Sequence, residues 1–427
     1  SRENIDQENE IAMIELYKKE QECCGCGACA AICPTNDIAM QGNDEGFLYP
    51  KILKQENCLN CGLCLSVCPV KHIQKGTMSL QGKEFYAGVI NDDQVWERSA
   101  SGGAFAAICQ VYRSKNPIVF GARWEKLNVV MDFCEGSDNI TPFQKSKYVA
   151  ADTDSAFQKA KRFLQDGRTV IFSGTPCQIN GLLHFLGMPY EKLLLIDFAC
   201  HGQGSPMVFR RWMEYLSRKN HSSITSFQFR EKKVLKDHVY SFCSSYTLKN
   251  RHKVIETRDL YLHSYVNGLC IRKSCQNCQF ASNRLSDITL ADFKNLREGL
   301  PNFHEMKNVS TIIANTAKGY EVCEQLSISF MRLYKPDSDF VLKHNPKLYK
   351  NLPGNNDRDH FMEEIKRNAK PIRRLIKIYA PIYPSQFVEY HCSTKMFNRL
   401  STLINLLDKM CFYLFHIPRY LIQRIRP

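Results

Sequence analysis

Eight cysteines near the start of the chain stand at spacings that do chemistry. Cys23, Cys26 and Cys29 are each two residues apart, Cys33 follows after three more, and Pro34 comes next. Cys58, Cys61, Cys64 and Cys68, followed by Pro69, repeat the pattern. Three thiolates at this spacing sit on one tight loop and grip three irons of a 4Fe–4S cubane, while the fourth, before Pro, ligates the cluster of the other run. The spacing therefore assigns Cys23, Cys26, Cys29 and Cys68 to one cluster, and Cys58, Cys61, Cys64 and Cys33 to a second. Gly25, Gly27, Ala28 and Gly62 let the backbone approach sulfur closely. Structural zinc is the alternative, but zinc sites pair two ligand pairs across a spacer of about a dozen or more residues. Cys24 is left over and reads as a small buried side chain.

A second set of cysteines is scattered. Cys177 follows an apolar run at 169–173, Cys200-His201-Gly202 follows another at 193–199, and Cys275 and Cys278 stand two residues apart. Two of these follow strand ends, where α/β sheets place ligands. Four cysteines from three pieces can converge on one metal. Equally, Cys177 and Cys200 can be ordinary buried cysteines, with Cys275 and Cys278 binding zinc or nothing. The loop carrying Ser99, Ser101, Gly102 and Gly103 precedes the apolar stretch AFAAICQVY. Ser and Gly at a helix start expose N–H groups that favour phosphate, or simply cap the helix. No G-x-G-x-x-G run supports a standard dinucleotide fold.

The elements that must position these residues follow from hydrophobic pattern. Residues 8–20 read as a short amphipathic helix. Apolar runs of strand length lie at 85–90, 117–122, 169–173, 193–199, 286–291 and 309–314, with helical patterns at 102–114, 153–166, 178–187, 206–218 and 317–328. Strands near 225–230 and 237–247 add an antiparallel or mixed part, residues 71–84 have linker composition, and the chain from about 358 reads as basic helices. The fold class is thus α+β / α/β: a small two-cluster ferredoxin-like domain over 1–75, a mixed-sheet α/β domain over 85–335 and a helical basic C-terminal extension over 340–427.

Composition narrows the function. The chain has 427 residues with 20 cysteines and a formal net charge of +14. It opens on the charged SRENIDQENE, without the apolar core of a secretory signal, and no stretch reaches the ~18 apolar residues of a membrane span. These features predict a cytoplasmic protein whose cysteines are metal ligands rather than disulfides. Residues 361–427 carry 12 basic and 4 acidic side chains, over half of the net charge. No nucleic-acid motif accompanies that charge. Residues 395–427 are both basic and apolar, which suits either an anionic membrane surface or docking on the protein's own body.

The order of motifs resembles the coenzyme F420 hydrogenase/dehydrogenase beta-subunit family. The matching pieces are CCGCGACAAICPTNDIAM, GFLYP, CGLCLSVCP, SASGGAF, KSKYV, FSGTPCQINGLL, IDFACHG, SCQNCQFA and SDITLADF, over about residues 23 to 330. Lys294-Asn295 stands where the family tends to have Trp-Gly, Ala291 where Gly is usual, and Gln276 where an aromatic is common. The resemblance implies a third 4Fe–4S cluster on Cys177, Cys200, Cys275 and Cys278. It also implies FAD beside Ser101, Gly102, Gly103 and the stretch holding Lys145, Lys147 and Tyr148. His201 and Asp292 become candidate proton donors beside the flavin; alternatively His201 tunes the cluster and Asp292 orients a loop. The expected function is an iron–sulfur flavoprotein oxidoreductase passing electrons between a ferredoxin-type or deazaflavin-type partner and a small two-electron substrate. The alternative is an electron-transfer subunit that only relays electrons to a partner enzyme. The expected route runs from partner protein through the ferredoxin clusters, the third cluster and the flavin to substrate.

Overall fold

A computed structural model describes residues 14–73, 82–235, 238–350 and 354–381, together with positions 406 and 410. The described part of the stretch expected as an amphipathic helix, 14–19, is irregular, and a single 3-10 turn follows at Glu20–Glu22. So short a helix is marginal alone, and its polar groups are drawn elsewhere: Glu20 pairs with Lys273 at 2.9 Å and accepts from Asn43 at 2.7 Å.

Each cysteine run turns into a short helix, α1 (Ala28–Ile32) or α2 (Leu63–Ser66), through a glycine in the left-handed region. Gly27 has φ +83° and Gly62 φ +71°, a conformation that costs other residues strain. Between the runs an antiparallel hairpin pairs β1 (Ile38–Gly42) with β2 (Leu48–Ile52).

The body is built on one eight-stranded sheet. Its strands are β3 (Glu84–Ile90), β4 (Ile118–Glu125), β5 (Asn128–Glu135), β6 (Val170–Ser173), β7 (Leu193–Phe198), and the later β11 (Ile288–Asp292), β12 (Ser310–Ala314) and β13 (Met331–Tyr334). A separate antiparallel sheet holds β8 (Ile224–Leu235), β9 (His238–Leu248) and β10 (Lys253–Glu256). In the large sheet the order is β13-β3-β12-β11-β7-β6-β4-β5. The four middle strands, β11, β7, β6 and β4, run parallel, and the flanking pairs are antiparallel. Helices α3 (Asp93–Glu97), α4 (Ala104–Val111), α5 (Ala156–Gln165), α6 (Pro176–Leu186) and α7 (Pro206–Lys219) connect the earlier strands. Downstream come α8 (Leu260–Val266), α9 (Leu296–Gly299), α10 (Ala317–Ser329), α11 (Ser338–His344), α12 (Arg358–Arg367) and α13 (Ile372–Tyr379). The middle strands are covered on both faces, which is why LLLID and TVIFS read as continuous apolar runs rather than alternating ones.

The cysteine-rich segment is fused to this body. Cys24, Cys26, Ala28 and Val67 share one apolar cluster with Phe157, Leu182 and Phe280. Glu45 forms a buried ion pair with Arg358 of α12, and Ser205 donates to the Glu45 carbonyl at 2.6 Å. Helices α12 and α13 in turn pack with α7 and α8 around Trp212 and Tyr261. No helix of the described residues is long and apolar enough to cross a membrane. Apart from positions 406 and 410, the basic segment 395–427 lies outside the described residues.

Candidate functional site

The two runs interlock. Cys33 of the first run lines one cavity with Cys58, Cys61 and Cys64 of the second, and Ile14, Ile38 and Ile52 supply apolar walls. Cys68 of the second run lies in turn within electrostatic reach of Cys23 and Cys29. Burial, then the neighbouring Cys23 and Cys68, pushes the Cys29 thiol up to about 12. Backbone amides face these sulfurs: Gly25 toward Cys23, Ala28 toward Cys26, Ala30 toward Cys29 and Leu65 toward Cys64. Cys33 differs. Burial raises its pKa, but the Thr35 hydroxyl and the amides of Asp37, Thr35 and Ile38 outweigh that and hold it below the ordinary value. N–H donors aimed at sulfur favour the thiolate, the form a metal cluster needs.

The scattered cysteines come from neighbouring strand ends. Cys177 stands in the first turn of α6, which starts with a Thr175/Gln178 capping box just after β6. Cys200 follows β7, the adjacent parallel strand. Cys275 lies in the 3-10 turn Lys273–Asn277 and Cys278 follows it directly. Cys200 senses Cys275, Cys177 and Cys278, and burial is the largest cause of its raised pKa. Burial together with Cys278 and Cys177 brings Cys275 up to about 12. Among the described residues, no three His, Cys, Asp or Glu side chains converge tightly enough to hold a metal ion.

Three residues outside both ligand sets tie those sets together. The Cys24 sulfur is within hydrogen-bonding reach of both Cys26 and Cys177. Gln203 donates from its backbone to Cys275 Sγ at 3.4 Å, and from Nε2 to the Cys24 carbonyl at 3.0 Å and to Cys177 Sγ at 3.7 Å. Arg272 donates through Nε to Gln203 Oε1 at 3.0 Å and lies where a Cβ on Gly25 would fall. Cys24 sits beside a ligand-spaced cysteine and Arg272 three residues before Cys275, but no spacing rule marks either.

The residues expected around a flavin gather on another unforeseen residue, Arg230. Its guanidinium pairs with Asp292 at 2.8 Å and donates to Tyr148 Oη at 3.1 Å, to the Ala100 carbonyl at 2.7 Å and to Ser241 Oγ at 3.2 Å. Its Nε is buried without a partner, and its φ of +64° is unusual for a side chain of that size. Burial opposes ionisation of Asp292, yet Arg230 prevails and holds the carboxyl below its usual value.

The other expected residues are close by but largely engaged. Ser99 and Ser101 donate to the carbonyls of Val95 and Val309, and the Gly102 N–H donates to Ser310 Oγ at 2.9 Å. A Cβ on Gly102 would collide with the Gly88 carbonyl, and one on Gly103 would press on Ile90. Close packing on β3 and β12 is thus one reason for glycine there. Lys145 pairs with Glu231 at 3.0 Å, and Lys147 Nζ donates to the carbonyls of Gln144, Pro142 and Lys145. Burial and Lys145 draw the Lys147 pKa down to about 7. The His201 ring lies 5.0 Å from Tyr265, whose ring lies 4.9 Å from Tyr148, and His201 Nε2 is buried without a partner. An aromatic chain therefore joins the Cys200 region to the Arg230–Asp292 pair.

Residues 167–335 match the family model for the C terminus of the beta subunit of coenzyme F420 hydrogenase/dehydrogenase, and residues 22–72 match a 4Fe-4S dicluster domain. The chain thus carries the C-terminal domain of the F420 hydrogenase/dehydrogenase beta-subunit family behind an N-terminal iron–sulfur dicluster domain. Those domains make it an iron–sulfur electron-transfer protein of oxidoreductase-associated type. No curated protein matches the sequence. A solved chain from a xenon derivatization of the F420-reducing NiFe hydrogenase complex of Methanosarcina barkeri is 13% identical with a TM-score of 0.43. The match covers 68% of this chain and 93% of that one.

Proposed function

We propose that this chain is an electron-transfer subunit that relays electrons between a donor or acceptor protein and a partner enzyme. In this reading residues 1–75 are the dicluster unit, 85–335 the body that carries a third cluster site, and 340–427 a helical extension. The observation that carries it is the cavity shared by Cys33, Cys58, Cys61 and Cys64, the crossed pattern that two interlocked cubanes require. The donor set fits such groups: four thiols per site, amides directed at sulfur, and left-handed glycines at the turns. When bound, 4Fe–4S clusters supply one-electron storage and transfer. The chain's own part is to grip iron with thiolates, direct N–H dipoles at sulfur, and bury Cys26 with Cys23 and Cys29 half-buried beside it, while leaving Cys61 exposed toward a partner. The third site takes Cys177, Cys200, Cys275 and Cys278. Its support is their origin at adjacent strand ends and their mutual electrostatic reach.

A second reading keeps FAD and a small-molecule substrate of the chain's own. It is favoured by the gathering of Ser101, Tyr148 and Asp292 around Arg230, whose Nε is unpartnered. FAD, when bound, would supply the step between single electrons and a hydride pair. Two observations set it behind the relay. The Gly102 N–H and the Lys147 ammonium are already engaged within the protein, and Asp292 is held as a carboxylate, which suits an anchor better than a proton donor. Anaerobic purification decides between them. Iron-loaded, flavin-free protein that carries electrons from a one-electron donor to a one-electron acceptor supports the relay. Stoichiometric flavin with hydride transfer supports the second reading, and loaded protein inert in both assays contradicts the relay.

A further inference from the structure

We propose that Arg272, held in place by Gln203, is the electrostatic bridge between the first cysteine run and the strand-end cysteines, stabilising added electrons at both. The inference deepens the relay reading and rests on it.

Arg272 is 1% exposed, and its guanidinium stays charged at any ordinary pH. A buried cation needs a counter-charge, because losing water without one is strongly unfavourable. No described carboxylate pairs with Arg272. Its partners are neutral: Gln203 Oε1 at 3.0 Å and the Leu48 carbonyl at 3.0 Å, with the rings of Tyr49 and Phe47 centred 4.6 and 4.9 Å away. Nη1 is buried and has no partner at all. The groups that its charge stabilises as anions are sulfurs from both sets. The guanidinium packs against Gly25, between Cys23 and Cys26 of the first run, and stands one residue, Gln203, away from Cys177 Sγ and Cys275 Sγ of the other. Gly25, at φ +67°, leaves open the space that the guanidinium occupies. Thiolates and reduced clusters are the anions within reach, so the missing counter-charge is the sulfur sets themselves.

Gln203 fixes the geometry. Its Oε1 receives Arg272, its Nε2 points at the Cys24 carbonyl and Cys177 Sγ, and its backbone N–H points at Cys275 Sγ. One side chain therefore spans the seam between the two sets. Net charge and hydrogen bonds to sulfur are the levers that set cluster potentials. A cation shared by two sites lifts both potentials, which keeps them matched for transfer in either direction.

The test is a potentiometric titration of the full-length, anaerobically purified protein, followed by EPR. Arg272→Met is expected to lower the midpoints of the first-run and strand-end signals while the second-run signal stays put. The expected size is about tenfold in the oxidised-to-reduced ratio, which is about 59 mV for one electron. Arg272→Lys, which keeps the charge, is expected to restore most of the shift. Gln203→Leu is expected to shift the strand-end signal in the same direction by less, and it decides the matter if Arg272→Met fails to fold. A purely structural role would lower iron content and leave the midpoints of the remaining clusters unmoved; that result overturns the bridge. Wild-type protein without iron–sulfur signals would instead overturn the relay reading beneath it.

Discussion

The two groups of cysteines were assembled in opposite ways. In the dicluster segment the ligands are local: two runs of a dozen residues, turned by Gly27 and Gly62, with the fourth cysteine of each exchanged. At the strand ends Cys177, Cys200, Cys275 and Cys278 come from three distant pieces, and only the parallel pairing of β6 with β7 and the return of the chain before β11 bring them near one another. A local set can be moved between proteins as a motif. A topological set exists only when the sheet has formed, so in the proposed reading its metal affinity is coupled to folding of the whole body. The seam between them, at Cys24, Gln203 and Arg272, makes the contrast more than architectural, because it gives two independently built sets one shared charge.

The largest effect that separates the sets is expected from Cys33→Ala. Cys33 belongs to the first run by sequence but shares its cavity with Cys58, Cys61 and Cys64. Iron and sulfide analysis should show one cubane lost, with the EPR signal of the second run missing. Loss of the first-run signal instead would break the crossed assignment.

Glu45→Ala tests how firmly the local set is fixed to the body. It removes the buried partner of Arg358 and leaves only the exposed Asp359 carboxylate, 2.9 Å away, a change that costs about 1–3 kcal/mol. Chemical denaturation should register that loss. A change near zero would mean that the Glu45–Arg358 pair does not help to hold the cysteine-rich segment to the body.

Gly181→Ala is a finer probe. A Cβ at Gly181 of α6 would come within 2.9 Å of Cys26 Sγ, and overpacking of this kind costs about 1–3 kcal/mol. The first-run signal should broaden or weaken while the second-run signal is unchanged. An unaltered first-run signal would show that α6 does not constrain that loop.

The smallest expected effect is on pH dependence. The rings of His72 and His184 stack at 4.7 Å, joining the dicluster segment to α6. Burial, with His72 beside it, holds the His184 pKa below the ordinary value of 6.5. The folded protein thus binds this proton less readily than the unfolded chain. Stability falls as the pH drops through the unfolded-state value and levels off below the folded-state one. Melting temperatures between pH 7.5 and 5, buffers chosen at about half-unit steps around the His pKa of about 6.5, should fall less steeply in His184→Gln. Parallel curves for variant and wild type would remove the histidine pair from the account.

How much of this could be read from the residues follows the same division. The cysteine runs, the strand-length apolar segments and the alternation of strands with helices were legible because each is a local pattern. The strands β5 and β13 and the hairpin of β1 with β2 were not: MDFCE and MRLY mix charge with apolar residues as edge strands do, and the hairpin lies in a cysteine-rich stretch with few long apolar runs. At the site, Cys177 and Cys200 were visible as residues following strand ends. Arg230 and Arg272 were not, since a basic residue in a polar-looking stretch reads as solvated surface, and only tertiary packing buries it. Gly102 and Gly103 show the converse. Their motif suggests a phosphate loop, while Gly88, Ser310 and Ile90 already account for the missing side chains.

The central claim is that the topological set is a cluster site in its own right, joined electrically to the local one. Iron and acid-labile sulfide counted in anaerobically purified wild type and Cys200→Ala test it most directly. Iron and sulfide for three cubanes are expected in the wild type and for two in the variant, with both dicluster signals retained. Two cubanes in each protein, with identical EPR spectra, would contradict it.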